Sequence, residues 1–375
     1  MKKWTTTLLA LSILTTPDFP RAADQMPPAE TGPQQGETLP SIGASGIWIG
    51  REELASQQLS GPAWERLQSE ARGSCGSPAL TSLRGSGNVC VLAKALVHAR
   101  IGDEKLRFEV VDALRAIVNA DRYEGHALSL GRKLGTYAIA ADLIDLKTFD
   151  PILDARFREA IKGLMTTPTT ARGPENLIRC HEERPNNWGT HCGASRAAVA
   201  AYLGDAQELA RVAQVFKGWL GDRAAYAGFT YGKDRSWQCD PAAPVGINPA
   251  GCTRGGHSLD GVIPDDQRRG GRFGWPPPKE NYAYEALQGA LMQAVILSRA
   301  GYEAFEWENR ALLRAFSWLH RHARFPASGD DTWQPHVVNY YYKTNFPAPM
   351  PSRPGKNVGW TDWTHGSEPT VELGQ

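Results

Sequence analysis

The chain has 375 residues, is 41% hydrophobic and 22% charged, and carries a net charge of +1. That is an ordinary globular composition with length enough for a large core, and it gives no bulk attraction to nucleic acid or to an anionic membrane. An acidic partner would have to be held by local arginines.

Lys2 and Lys3 precede a short apolar run, Trp4 to Thr16, and Ala22-Ala23 offers small residues for cleavage. Residues 1–23 are therefore expected to form an export signal. The run is too short to span a membrane, and no later segment is long and apolar enough to do so. Residues 24–45, rich in Pro, Gly, Gln and Glu, are expected to be a flexible leader. Residues 46–375 are expected to form one domain in a periplasmic or secreted protein. The six cysteines agree with an oxidising compartment. Sequence neighbours pair most economically, Cys75 with Cys90, Cys180 with Cys192 and Cys239 with Cys252. No spacing is C-x-x-C, which argues against zinc.

Helical spacing runs through Leu54, Leu59, Trp64 and Leu67. After a loop, Asn88 is expected to cap a helix ending at Gly102. Asp103 caps the next, with Leu106, Val110, Leu114 and Val118 on one face. Helices follow over Leu128–Leu146 and from Pro151 through Leu164. Thr166–Asn187 is a polar loop. Gly189–Leu203 is a small, alanine-rich helix and Asp205–Leu220 its partner. Gly221–Glu280 is rich in Gly, Pro, Asp and Arg and breaks the pattern; long irregular loops of this kind are usually functional. Helices resume over Tyr282–Arg299 and Glu303–His322. The end is aromatic and loop-like, with H-V-V-N-Y-Y-Y as a short strand. Antiparallel helix pairs without βαβ alternation predict an all-α fold, an incomplete α/α toroid with long loops and minor β.

Two stretches carry chemistry. In R-P-N-N-W-G-T-H-C, Arg184 to Cys192, Asn186 and Asn187 lie at a helix start, whose N–H groups favour anions. His191 follows one turn after Asn187; capping plus a structural histidine would explain the same residues. The second stretch is Asp260 to Leu287, with His257 just before it. It opens on an Asp-Gly turn, carries Arg268, Arg269 and Arg272, and stiffens through Pro276 to Pro278. It then starts a helix with Tyr282 and Tyr284. Arginines hold carboxylates in a bidentate fork, and a tyrosine beside them loses its proton more easily.

Together these stretches resemble the alginate lyase family of α/α-toroid polysaccharide lyases. The resemblance is motif-specific at Asn186–His191 and at Asp260-Gly261, Pro264, Arg269-Gly270, Arg272, Tyr282 and Ala286-Leu287. This sequence departs from the family in two ways. Trp188 stands where the family has histidine, so His191 or His257 must supply it, and the arginine-to-tyrosine spacing is longer. Both departures suggest a divergent branch, with a glucuronan-type lyase at least as good a fit.

The resemblance implies β-elimination on a uronic acid polymer. Asn187 and Arg269 would neutralise the C5 carboxylate, which otherwise resists loss of the C5 proton. Tyr282 would act as base and acid, assisted by His191 or His257. Asn186, Trp188, Arg132, Tyr137, Arg272 and Tyr284 are candidate sugar contacts. No metal or cofactor is needed. The expected partner is an acidic polysaccharide, with no nucleic acid or membrane, and the chain is expected to act as a monomer.

Two other readings stay open. A glycoside hydrolase would use paired carboxylates from Asp260, Asp265, Asp266 and Glu285. A periplasmic binding protein would hold uronans without turnover. The tryptophans in Gly/Pro-rich loops (Trp188, Trp237, Trp275, Trp333, Trp360, Trp363) suit sugar stacking or interhelical packing equally. No G-x-S-x-G elbow supports a serine hydrolase.

Overall fold

A computed structural model describes residue 1 and residues 46–120, 123–169 and 175–366. Apart from residue 1, the expected export signal and leader lie outside the described residues. The described residues from 46 on are mostly helical, as expected.

Short helices α1 (Arg51–Ser56) and α2 (Pro62–Arg72) lead into α3 (Gly87–Ile101) and α4 (Glu104–Val118). Asp103 caps α4, its Oδ1 accepting from the Leu106 N–H at 3.2 Å. Asn88 does not cap α3. It is buried in the first turn, and its amide donates to the Arg132 carbonyl, Thr136 Oγ1 and the Lys356 carbonyl. Then come α5 (Ala127–Leu143), α6 (Leu146–Phe149), α7 (Pro151–Thr166), α8 (Leu177–Glu183), α9 (Asn187–Leu203) and α10 (Ala206–Leu220). Asp150, Asn176, Asn186 and Asp205 cap α7, α8, α9 and α10 through their side chains. Each removes one unsatisfied N–H from a helix start.

Helix α9 lies at the centre. Its residues from Asn187 to Ala201 are all buried, as expected of a helix walled in on every side. It packs against α5 and against α12 (Ala283–Arg299). The small residues on these helices let the backbones nearly touch. A Cβ on Gly289 of α12 would stand 2.3 Å from the Thr190 carbonyl carbon and 2.5 Å from the His191 nitrogen. This close crossing brings the His191 segment against α12.

Between α10 and α12 the chain is irregular. It holds a two-stranded hairpin, β1 (Thr253–Arg254) with β2 (His257–Ser258), and the single turn α11 (Pro264–Gln267) followed by a 3-10 turn over Arg268–Gly270. The Trp237 indole N–H fastens this region to the Gly271 carbonyl, and the Trp318 N–H to that of Ser258. Helix α13 (Trp307–Ser317) runs into a π-helical turn ending at His322. The stretch expected as a strand is helix α14 (Gln334–Tyr342), with Val337 and Val338 buried, and α15 (Thr361–Thr364) follows. Three consecutive tyrosines favour strands locally, but packing against α12 outweighs that preference.

The disulfides are Cys75–Cys90, Cys180–Cys192 and Cys239–Cys252, the economical pairing. Five of the six loop tryptophans, Trp188, Trp237, Trp333, Trp360 and Trp363, are buried, so packing is their role. Only Trp275 is partly open.

Candidate functional site

The site is built where the start of α9, the arginine turn and the start of α12 meet. Asn186 caps α9, accepting from the Trp188 N–H at 3.0 Å. Asn187, the first helical residue, is only 1% exposed. Its backbone N–H donates to Asp266 Oδ1 at 3.2 Å. Asp266 is fully buried on α11, and burial pushes its carboxyl well above the usual range; Arg269 opposes this and Asp265 adds to it. Asp265 is instead paired with Arg268, at 2.8 Å.

Three residues after Asp266, Arg269 emerges on the surface. Its guanidinium carbon stands 4.7 Å from the centre of the Tyr282 ring. Tyr282 is the N-cap residue of α12 and is 44% exposed, so both groups face solvent together. One turn further on, Glu285 Oε2 meets His191 Nε2 at 3.2 Å. The contacts therefore close a ring: Asn187 to Asp266, Arg269 to Tyr282, Glu285 to His191, and back along α9 to Asn187. Four candidates from two sequence-distant stretches, Asn187 and His191 from one and Arg269 and Tyr282 from the other, come together in this ring.

Glu285 is the electrostatic centre. Arg132 forms an ion pair with its Oε2, and Lys356 Nζ lies 3.9 Å from Oε1. Burial alone would raise this carboxyl. The His191 hydrogen bond, then the Arg132 and Lys356 charges, override burial and hold it at about 2. His191 is 0% exposed. Burial lowers its pKa, with Glu285 opposing, so it is a neutral imidazole at pH 7. It reaches a ligand only through its neighbours.

Further carboxyls sit around Glu285. Burial raises Glu280 to about 7 and Asp331 to about 8, and neighbouring carboxylates add to both shifts. Asp330 pairs with Lys356 Nζ at 2.6 Å. The backbone beneath Lys356 is pinned. Its N–H donates to Gln288 Oε1 at 2.7 Å, and the next side chain, Asn357, donates to the Gly131 carbonyl at 3.0 Å. Sequence reasoning missed Lys356, Glu280, Asp330 and Asp331. Lys356 and the aspartates lie in a stretch with no periodicity, and no spacing signal could have tied them to α12.

The remaining candidates lie elsewhere. Tyr284 was expected beside the sugar, but it is 2% exposed and its hydroxyl donates to the Phe325 carbonyl at 2.8 Å. It points into the core because successive helical residues are about 100° apart, so the exposure of Tyr282 turns Tyr284 inward. Tyr137 is likewise buried, and burial raises its hydroxyl pKa. Trp188 packs under the Arg184 guanidinium at 4.5 Å and edge-on to His126. His257 stacks on Trp275 at 4.5 Å, so the histidine within the ring of contacts is His191. Arg272 is exposed on the loop after the arginine turn. Of the hydrolase candidates, Asp260 is held by Arg314 at 2.6 Å.

No family model matches the chain, and no curated protein resembles it at a significant level.

Proposed function

We propose that the chain is an exported polysaccharide lyase that cuts 4-linked uronic acid polymers by β-elimination, acting as a monomer on an α/α-toroid scaffold. One observation carries this reading: the ring of contacts that gathers Asn187, Arg269, Tyr282 and the His191–Glu285 pair. In it a cation and a phenol share one solvent-facing surface, above a buried asparagine at a helix start.

The substrate carboxylate lies against Arg269 and against Asn187 Nδ2, the polar atom of that otherwise buried side chain that is not closed off within the protein, and the two draw charge from the developing enolate. The Tyr282 oxygen, as phenolate, takes the C5 proton. That electron pair forms the C4–C5 double bond, the C4–O bond breaks, and the leaving oxygen takes a proton back from Tyr282. Arg269, whose guanidinium carbon stands 4.7 Å from the Tyr282 ring centre, keeps positive charge beside the reacting groups. Glu285 and His191 lie one turn below and fix the floor. The three disulfides suit an oxidising compartment, in keeping with export.

A second reading has its own support. Glu280 at about 7 and Asp331 at about 8 neighbour an ionised Glu285. Carboxyls driven apart in this way are what a glycoside hydrolase needs for its acid and its base.

The deciding experiment mixes purified protein with polyglucuronate, polymannuronate and polyguluronate in turn. The expected result is near-ultraviolet absorbance of an unsaturated uronate on one polymer, lost in Tyr282→Phe. Reducing ends without that absorbance would select the hydrolase. Binding without either product would select a binding protein.

A further inference from the structure

Asn187 and Asp266 present an unsolved hydrogen-bonding problem. They are joined by the Asn187 N–H to Asp266 Oδ1 bond, and both side chains are buried. Among the described residues, the other carboxyl oxygen of Asp266, Oδ2, and the amide oxygen of Asn187, Oδ1, are buried and have no hydrogen-bond partner. Two spare acceptors on two joined residues are one proton short, and buried polar atoms are rarely left in that state.

We propose that Asp266 is a positioning residue: in protonated form it donates a hydrogen bond from Oδ2 to the Asn187 amide oxygen and so turns the Asn187 NH2 toward the carboxylate of a bound uronate. The assignment deepens the lyase reading and rests on it for the identity of the ligand.

The surroundings support the proton. Burial is the largest influence on Asp266, and it favours the neutral form. The charged groups facing it are Arg269 and Arg268, which oppose protonation, and Asp265, which assists it. Asp265 is already bound to Arg268, which weakens that opposition. From α9 the contact is the Asn187 N–H, and from α12 Tyr282 stands over Arg269. The neutral form has a functional consequence as well. An ionised Asp266, three residues before Arg269, would compete with the substrate carboxylate for that guanidinium. A neutral acid leaves Arg269 free and orients Asn187 at the same time.

Two variants and two readouts test this. Asp266→Asn keeps a donor at the Oδ2 position, whereas Asp266→Ala removes it. Asp266→Ala is expected to lower kcat/KM on the cleaved uronan by on the order of tenfold to a hundredfold, as for outer partners that orient metal ligands. Asp266→Asn is expected to rescue most of that loss. It should also shift or remove the alkaline fall in the wild-type pH profile, because its amide cannot ionise.

The second readout needs no substrate. A carboxyl whose folded pKa lies above its unfolded 3.8 binds more protons folded than unfolded. Stability from it therefore falls as pH rises from about 4 toward the folded value. The Tm of the wild type should drop relative to that of Asp266→Asn over that range. A wild-type Tm that instead falls relative to that of Asp266→Asn as pH is lowered would mean an ionised Asp266 accepting from a flipped Asn187 amide, and would overturn the assignment. So would an Asp266→Ala protein with unchanged kcat/KM. If no uronan is cleaved, the lyase reading fails, and the Tm comparison alone decides whether Asp266 carries its proton.

Discussion

Glu285 shows how one carboxylate can organise a site. It is mostly buried, yet a hydrogen bond from His191 and the charges of Arg132 and Lys356 keep it ionised. Its folded pKa of about 2 lies below its unfolded 4.5, so its contribution is complete above 4.5 and is lost as pH falls toward 2. Glu285→Gln is expected to cost on the order of 3 kcal/mol at pH 7. Urea unfolding at pH 7 and pH 3 checks this, and an undiminished difference at pH 3 would refute it. Tyr282 behaves in the opposite way. It is 44% exposed, so Tyr282→Phe should change stability by no more than about 0.5 kcal/mol. The same change should lower elimination on the order of a hundredfold or more. A variant that keeps turnover would remove Tyr282 from the chemistry.

At the scale of elements, the site depends on how closely α12 crosses α9. Gly289 permits that approach, and any Cβ there would press on the backbone at Thr190 and His191. Neither backbone can yield as a flexible side chain would. Gly289→Ala should therefore cost roughly 1–3 kcal/mol or more by overpacking. It should also weaken activity, because it moves His191 relative to Glu285. Thermal unfolding alongside uronan turnover would show both effects; full stability would mean the helices sit further apart. The C-terminal stretch contributes in a different way. Lys356 and Asn357 are held by side chains and carbonyls of α3, α5 and α12, so an irregular segment places a cation as firmly as a helix would.

For the whole molecule, Cys75–Cys90 and Cys239–Cys252 fasten irregular segments, whereas the third disulfide joins two packed helices. Cys180–Cys192 joins α8 to α9 just behind the Asn186–His191 segment, closing a loop with a sequence separation of 12 residues. Loops of this size are worth about 3 kcal/mol each through the unfolded chain. The double variant Cys180→Ser with Cys192→Ser should lose about that much in denaturant unfolding. An unchanged midpoint would mean that α8 and α9 pack well enough unaided. Among the described residues no helix is long and apolar enough to cross a membrane.

Much of this was legible in the chain itself. Periodicity marked the main helices, Asp103 announced its cap, and neighbouring cysteines found each other, because these depend on residues close in sequence. Asn187, His191, Arg269 and Tyr282 could be singled out as candidates from local signals alone, since they sit at or near a turn or helix start. The sequence could not show that Tyr284 turns inward while Tyr282 faces out, because that follows from which face α12 buries. Nor could it show that His257 stacks on Trp275, that the tyrosine run is helical, or that Lys356 and Asp330 join Glu285. Those outcomes depend on contacts between residues far apart in the chain, where burial and charge are set by the packed neighbours. Local sequence therefore determined the helices and the candidate residues, whereas the tertiary packing decided which of them meet and in what charge state.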